Sequence, residues 1–335
     1  MKRRGGLFEE VCSYKNLLKA ARKAMKGKKD KKPVARFYFN MEFILLEMEK
    51  ELVEGLYKPG SYRCFYIYEP KERYICSADF RDRVVHHAIC NVLEPEFERW
   101  FIYDSYACRE KKGSHRAIRR VKLWSRKASY FLKTDVRKFF ESVDHKVLKE
   151  LLRRKFKDKR LLSLLECIID HPVPGHAPGK GLAIGNLTSQ WFANFYLDPL
   201  DHYIKEELGV KYYIRYMDDI LMLGHDKPAL HELKTEIKEY LQTELKLDLK
   251  EKASIVAPVM EGIPYLGFRI FPGLIRLKHE GLVRFSRKYR KKEKLYLQGE
   301  IEEGEFIRSA CSLLGHIQHG NTYRMRQSFF YGGKG

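Results

Sequence analysis

Two adjacent aspartates, Asp218 and Asp219, interrupt residues 213–223, which read YIRYMDDILML. Apolar and aromatic residues lie on both sides. Tyr213, Ile214 and Tyr216, and then Ile220 and Leu221, are strand formers, so the stretch predicts a hairpin with its carboxylates at the tip. Neighbouring charges on strands that otherwise bury are costly unless something compensates them. A hard divalent cation does so, because Mg²⁺ takes one or two protein carboxylates and completes its shell with water and phosphate oxygens. An Asp-Asp pair by itself is an ordinary solvated turn, so the metal reading depends on what else the chain supplies.

A third acid supplies the first support. Residues 130–148 read YFLKTDVRKFFESVDHKVL, a buried strand over 130–134 with Asp135 at its carboxyl end. A helix is expected from about Asp144, with Val147, Leu148, Leu151 and Leu152 inward. Asp135 and Asp218 can meet only if their two strands join one sheet. Glu141 and Asp144 fall in a turn and a helix cap, where acids are expected anyway.

Phosphate-binding groups come from elsewhere. Residues 61–83 predict two strands around a turn at Pro70-Lys71-Glu72, with Lys71 and Arg73 near the tip. Arginine offers phosphate a planar fork, although an exposed hairpin with solvated charges is an equal reading. Arg109, Lys111, Lys112, Arg116, Arg119 and Arg120, with Trp124, form a basic patch suited to a nucleic-acid backbone. A Gly- and Pro-rich loop ends at Gly185, before a helix carrying Trp191, Phe192, Phe195 and Tyr196. Such a loop often receives a nucleotide but is a weak signal alone. Lys252 lies where a turn enters a strand, and Gly267 marks a hairpin over 262–272.

The scaffold between these groups reads as follows. Ser13 caps a helix that opens a basic stretch over 14–32, taken as an arm on nucleic acid or else a solubilising segment. A helix over 40–54 puts Phe43, Ile44, Met48 and Leu52 on one face and ends near Gly55. A mostly buried helix covers 83–93; its adjacent His86 and His87 cannot share a face and read as structural. Asp198-Pro199 restarts a helix through Leu208, and an amphipathic helix covers 231–245. Basic helices follow over 284–296, 305–318 and 321–332.

Bulk properties agree. The 335 residues carry 65 Lys+Arg against 44 Asp+Glu, a net charge of +21, which makes a polyanion, and foremost nucleic acid, the expected partner. No apolar run reaches the roughly 18 residues of a membrane span. Met1-Lys2-Arg3-Arg4-Gly5-Gly6 is basic but lacks a following signal-peptide stretch. Seven scattered cysteines without a C-x-x-C pair point to reduced thiols and a cytoplasmic protein, against a zinc site or disulfide framework.

In this order the blocks resemble the polymerase core of reverse transcriptases over roughly residues 55–275. Asp135 with its FFxxV run matches the first palm aspartate, and Tyr216-Met217-Asp218-Asp219 matches the YxDD box. Residues 181–190 match the block that contacts incoming nucleotide and template, and Tyr265-Leu266-Gly267-Phe268 is similar to the primer-gripping hairpin. The third block departs from PQGxxxSP: it reads Ile184-Gly185-Asn186-Leu187-Thr188-Ser189-Gln190, a form that resembles the enzymes of diversity-generating retroelements.

The resemblance implies an α+β right-hand polymerase: a basic helical extension over 1–54, fingers over 55–130, a palm over 131–275 with an insertion near 150–180, and a short helical thumb over 276–335. It implies RNA-directed DNA synthesis with two Mg²⁺ ions held by Asp135, Asp218, Asp219 and the Val136 carbonyl, Asp219 being the weakest of these ligands. Lys71, Arg73, Phe140, Ile184, Gly185, Gln190 and Lys252 would face the nucleotide, with Lys252 as a proton donor to pyrophosphate. Arg109, Lys111, Lys112, Tyr216, Met217, Leu266 and Gly267 would face template and primer.

For the subclass it implies a template-repeat RNA, errors at adenines for targeted protein diversification, and a small basic oligomeric accessory protein. No maturase, endonuclease or RNase H appendage is expected. The rival readings are a group II intron-like or defence-associated reverse transcriptase, an RNA-dependent RNA polymerase, and a silent RNA-binding scaffold.

The family has an aromatic residue that blocks a 2′-hydroxyl at the position of Phe140. Phe140→Ala should therefore admit ribonucleotides in primer extension; unchanged sugar selection in that variant would remove the gating role.

Overall fold

The structure is a computed structural model that describes residues 4–68 and 71–331. Met1, Lys2, Arg3 and Pro70, named above, lie outside the described residues, as does Gly332 at the end of the last predicted helix. Helices and small sheets combine as an α+β protein, and the chain divides into two compact units. One comprises residues 1–108, 135–209 and 236–250; the other comprises 109–134, 210–235 and 251–335.

The first unit is mostly helical. Its long central helix, Phe80–Trp100, buries Val84, Val85, Ala88, Ile89, Leu93 and Phe97. Asp79 caps it by accepting from the Arg81 N–H. The sequence predicts a helix over 83–93, yet the helix runs on through Pro95 to Trp100. Phe97 and Trp100 supply the reason. The Phe97 ring stacks on Trp191 at 5.8 Å and meets Phe195 at 5.1 Å, while Trp100 meets Phe156 at 5.3 Å. Burying such rings outweighs the roughly 3 kcal/mol that an interior proline costs.

Two readings of the N-terminal region change. Residues 14–32 do not form a free arm: the helix Tyr14–Met25 buries Leu17, Ala20, Ala21, Ala24 and Met25 and packs on Phe80–Trp100. Its lysines occupy the opposite face. The helix Met41–Glu54 ends at a left-handed Gly55, as expected, but turns Leu45, Met48 and Leu52 inward and leaves Phe43 73% exposed. Apolar residues surround this helix almost completely, so spacing alone cannot choose the inner face.

The predicted hairpin is present as β1 (Arg63–Ile67) and β2 (Arg73–Ser77), an antiparallel pair with mostly exposed residues on β1. A short helical turn, Phe139–Ser142, precedes the helix His145–Lys155. Asp144 caps the latter, its Oδ1 accepting from the N–H groups of Lys146 and Val147.

The second unit is built on two sheets. In the larger, β3 (Tyr130–Asp135) lies between β5 (Asp219–Gly224) and β6 (Ile255–Pro258), with β4 (Tyr212–Tyr216) outside β5. The unit boundary cuts β3 just before its last residue, Asp135. The smaller sheet orders β7 (Ile263–Tyr265), β8 (Phe268–Phe271) and β9 (Leu274–Leu277) as an antiparallel meander. The basic helix His279–Leu297 and the helix Glu303–Ile317, which has two glutamates and one arginine, pack together beyond it, followed by Tyr323–Tyr331.

The β7–β8 turn has two residues, Leu266 at φ 45° and Gly267 at φ 86°, the type I′ geometry that twists a hairpin correctly. Leucine is poorly suited to this left-handed region, where asparagine is at home. Leu266→Asn should raise stability by about 0.5–1 kcal/mol, read as a higher urea midpoint; a lower midpoint would show that the leucine side chain outweighs its backbone strain.

Candidate active site

The hairpin β4–β5 places both aspartates at its tip. Tyr216 pairs with Asp219, so the connecting turn is only Met217-Asp218. Met217 has φ 57°, and such strain costs on the order of 1 kcal/mol and persists only where surroundings enforce it. Arg215 does the enforcing. It is 0% exposed, and its Nη1 donates to the Met217 carbonyl at 3.1 Å. Tyr216, Met217, Asp218 and Asp219 are all half-buried.

Asp219 has a protein counter-ion. Lys133, on neighbouring β3, brings its Nζ to 3.0 Å from Asp219 Oδ1, an ion pair without a directional hydrogen bond. Both side chains are mostly buried, so the pair is stronger than a surface one. Lys278 adds further positive charge. Burial, and next the charge of Lys133, hold its ammonium below the ordinary lysine range. Its backbone N–H donates to the Gly267 carbonyl, so one residue touches both the field around Asp219 and the Leu266-Gly267 turn. Thr134 and Ser254 hydroxyls share a 2.7 Å hydrogen bond that ties β3 to the segment entering β6.

The remaining candidates of this unit are dispersed. Arg109, Lys111 and Lys112 form a turn in which the Lys112 N–H donates to the Arg109 carbonyl, before the helix Ser114–Trp124. Lys252 is exposed on the short turn Glu251–Ala253.

In the first unit, Asp135 is half-buried and its carbonyl accepts from the Lys250 N–H at 2.8 Å. Val136 is buried and bridges Leu249. Of the phenylalanine pair, Phe139 is core and Phe140 is half-buried. The Phe140 carbonyl accepts from Leu182 N–H at 2.7 Å, and the Ile184 carbonyl accepts from Cys76 N–H on β2 at 2.9 Å. The loop with Ile184 and Gly185 is therefore joined to the Phe140 segment on one side and to the Lys71/Arg73 hairpin on the other. Lys71 and Arg73 are exposed, and Gln190 is half-buried in the helix Leu187–Tyr196.

Sequence reasoning missed Lys133, Arg215 and Lys278. The first two carried a signal: each is a lone cation within an otherwise apolar strand beside an acid. Among the described residues no group of three or more His, Cys, Asp or Glu side chains is arranged to hold a metal ion. The donors at hand, Asp218 and Asp219 on one turn, are hard oxygens that suit Mg²⁺ with a shell filled by water and phosphate. Among the described residues no helix is long and apolar enough to cross a membrane, and all seven cysteines are free thiols.

Comparison with known proteins defines the class. Residues 58–270, more than half the chain, match the family described as reverse transcriptase (RNA-dependent DNA polymerase). The chain belongs to this family. It is 27% identical to Protein YkfC of Escherichia coli (strain K12) over 269 residues, covering 67% of this chain and 70% of that one. It is 26% identical to the group II intron-encoded protein LtrA of Lactococcus lactis subsp. cremoris, covering 63% of this chain but 35% of LtrA. The fold is similar to that of apo telomerase from Candida tropicalis, truncated from its C-terminal domain, with TM-score 0.51 at 11% identity over 65% of this chain and 55% of that one. The fold is thus that of a right-hand polymerase, and the chain spans only about a third of LtrA and about half of the telomerase.

Removing the counter-ion tests the electrostatics. Lys133→Met should lower stability by about 1–2 kcal/mol by leaving Asp219 uncompensated. Added Mg²⁺ should raise the variant's melting temperature more than the parent's; equal shifts in both proteins would deny Asp219 a share in cation binding.

Proposed function

We propose that this chain copies RNA into DNA by template-directed nucleotidyl transfer. One observation carries the proposal: the strand that ends at Asp135 is the neighbour of the strand that begins at Asp219 in a single sheet. Asp135, Asp218, Asp219 and the Val136 carbonyl would hold two Mg²⁺ ions, which when bound supply activation of the primer hydroxyl and neutralisation of phosphate charge. Lys71 and Arg73 bind the triphosphate, Phe140 excludes the 2′-hydroxyl, and Lys252 donates a proton to pyrophosphate. Gly185 and Gln190 line the nucleotide block beside Ile184. Arg109, Lys111, Lys112, Tyr216, Met217, Leu266 and Gly267 contact template and primer. In this reading 1–54 is a basic extension, 55–130 fingers, 131–275 palm with a fingers insertion near 150–180, and 276–335 thumb, in a protein of the cytoplasm.

Within the family we assign the chain to the diversity-generating retroelements, with a template-repeat RNA and a small basic accessory protein as partners. Ile184 supports this: an apolar residue stands where an amide would fix the nascent pair, which loosens template positioning and lowers fidelity. The similarity to LtrA favours a second reading, an intron-type enzyme of ordinary accuracy.

Primer extension on RNA with Mg²⁺ and dNTPs, followed by product sequencing, separates these readings. The native chain should synthesise cDNA with errors at template adenines, and Asp218→Ala should lose synthesis by at least a thousandfold, on the order of 4 kcal/mol of transition-state stabilisation. Ile184→Gln should reduce adenine errors. Accurate copying by the native chain selects the intron-type enzyme, and silence even with accessory protein and structured RNA selects a binding scaffold.

A further inference from the structure

The geometry points to Tyr62 and Asn186 as positioning residues that set the triphosphate-holding hairpin relative to the loop that reads the nascent base pair. The inference rests on the polymerase reading above. Asn186 is 2% exposed, and its Nδ2 donates to the Tyr62 hydroxyl at 3.0 Å. Tyr62 stands immediately before β1, and Asn186 immediately follows Gly185. The Tyr62 ring is itself fixed, tilted against His171 with centroids 4.8 Å apart. Burial pushes the hydroxyl up to about 12, so it stays protonated at neutral pH.

Three further contacts make the connection tight. Cys76 N–H donates to the Ile184 carbonyl at 2.9 Å, which attaches the loop to β2. Gly185 has φ 132°, and a Cβ there would stand 2.9 Å from the Cys76 carbonyl oxygen and 3.3 Å from Ile75 Cγ2. The opposite end of the loop is anchored by Leu182 N–H on the Phe140 carbonyl and Gly181 N–H on the Val143 carbonyl, both within 2.8 Å. Loop and hairpin are therefore continuous in hydrogen bonding. The Tyr62–Asn186 bond is the side-chain member of this seam, and so the one that substitution can remove without touching backbone. Both strands of the hairpin are held to one loop, β2 through Cys76 and β1 through Tyr62, which couples the strand carrying Arg73 to Ile184.

Steady-state kinetics of Tyr62→Phe in the full chain test this, with Asn186→Ser as a second variant should the first fail to fold. The expected result is about a tenfold rise in KM for all four dNTPs, with kcat within twofold, because one buried donor loses its partner. Combined with Arg73→Ala, the effect should fall well short of additive, since both act through one hairpin position. A lowered melting temperature with unchanged KM would overturn the inference and leave Tyr62 a stabilising residue. Fully additive losses would overturn it as well. If the native chain itself makes no DNA, the polymerase reading fails and takes this inference with it, whereas native synthesis with an indifferent Tyr62→Phe sinks this inference alone.

Discussion

Carboxylates at the tip of an apolar hairpin need positive charge, and the protein supplies part of it from its own side chains. Lys133 pairs with Asp219 across two neighbouring strands, Lys278 stands in the same field, and Arg215 lies fully buried beneath the turn. This requirement explains features that look unrelated. It accounts for a lysine in the middle of β3, where an apolar residue would pack better. The arginine inside β4 serves the turn that carries the carboxylates, its guanidinium holding the strained Met217 carbonyl. The requirement also explains why β3 must lie beside β5, since any other strand order would separate Lys133 from Asp219.

The first unit meets a different constraint, the placing of neutral backbone. Its loop over 181–186 has no regular secondary structure, yet the Gly181 and Leu182 N–H groups donate to the Val143 and Phe140 carbonyls and the Ile184 carbonyl accepts from Cys76. These bonds tie the loop to the segments on either side of it. The close approach follows from Gly185, whose missing side chain allows two backbones to touch, and from Asn186, whose amide donates to the Tyr62 hydroxyl.

Much of this was legible in the chain because the signals are local. Alternating strand formers around Asp218, a strand ending at Asp135, the Asp144 cap, the Gly55 stop and the turn at Gly267 each depend on residues a few positions apart. What escaped depends on partners far away in sequence. Phe80–Trp100 continues through Pro95 only because Trp191 and Phe195 wait for Phe97. The lysine-rich helix Tyr14–Met25 looks like an arm until its alanine stripe finds the central helix. Phe43 and Leu45 are equally apolar, and only the neighbouring helices decide which one is buried. The roles of Lys278 and Tyr62 arise across strands or loops and no spacing rule announces them, whereas Lys133 showed only as a cation out of place in an apolar strand.

The two units are threaded through each other along the chain, three segments apiece. During synthesis the first unit must wait for residues 236–250, whose Ile237, Leu241, Leu245, Leu247 and Leu249 are all buried, and Leu245 offers its carbonyl to the Tyr196 hydroxyl. By then the acidic hairpin of the other unit has already been made. A break anywhere from 109 to 249 therefore leaves both units unfinished. Neither unit has all its segments until residue 250 has been made, so partly built cores are exposed while the chain grows. Insertions in such a chain are best borne in exposed loop tips, where no segment of either unit is parted from the rest of its core.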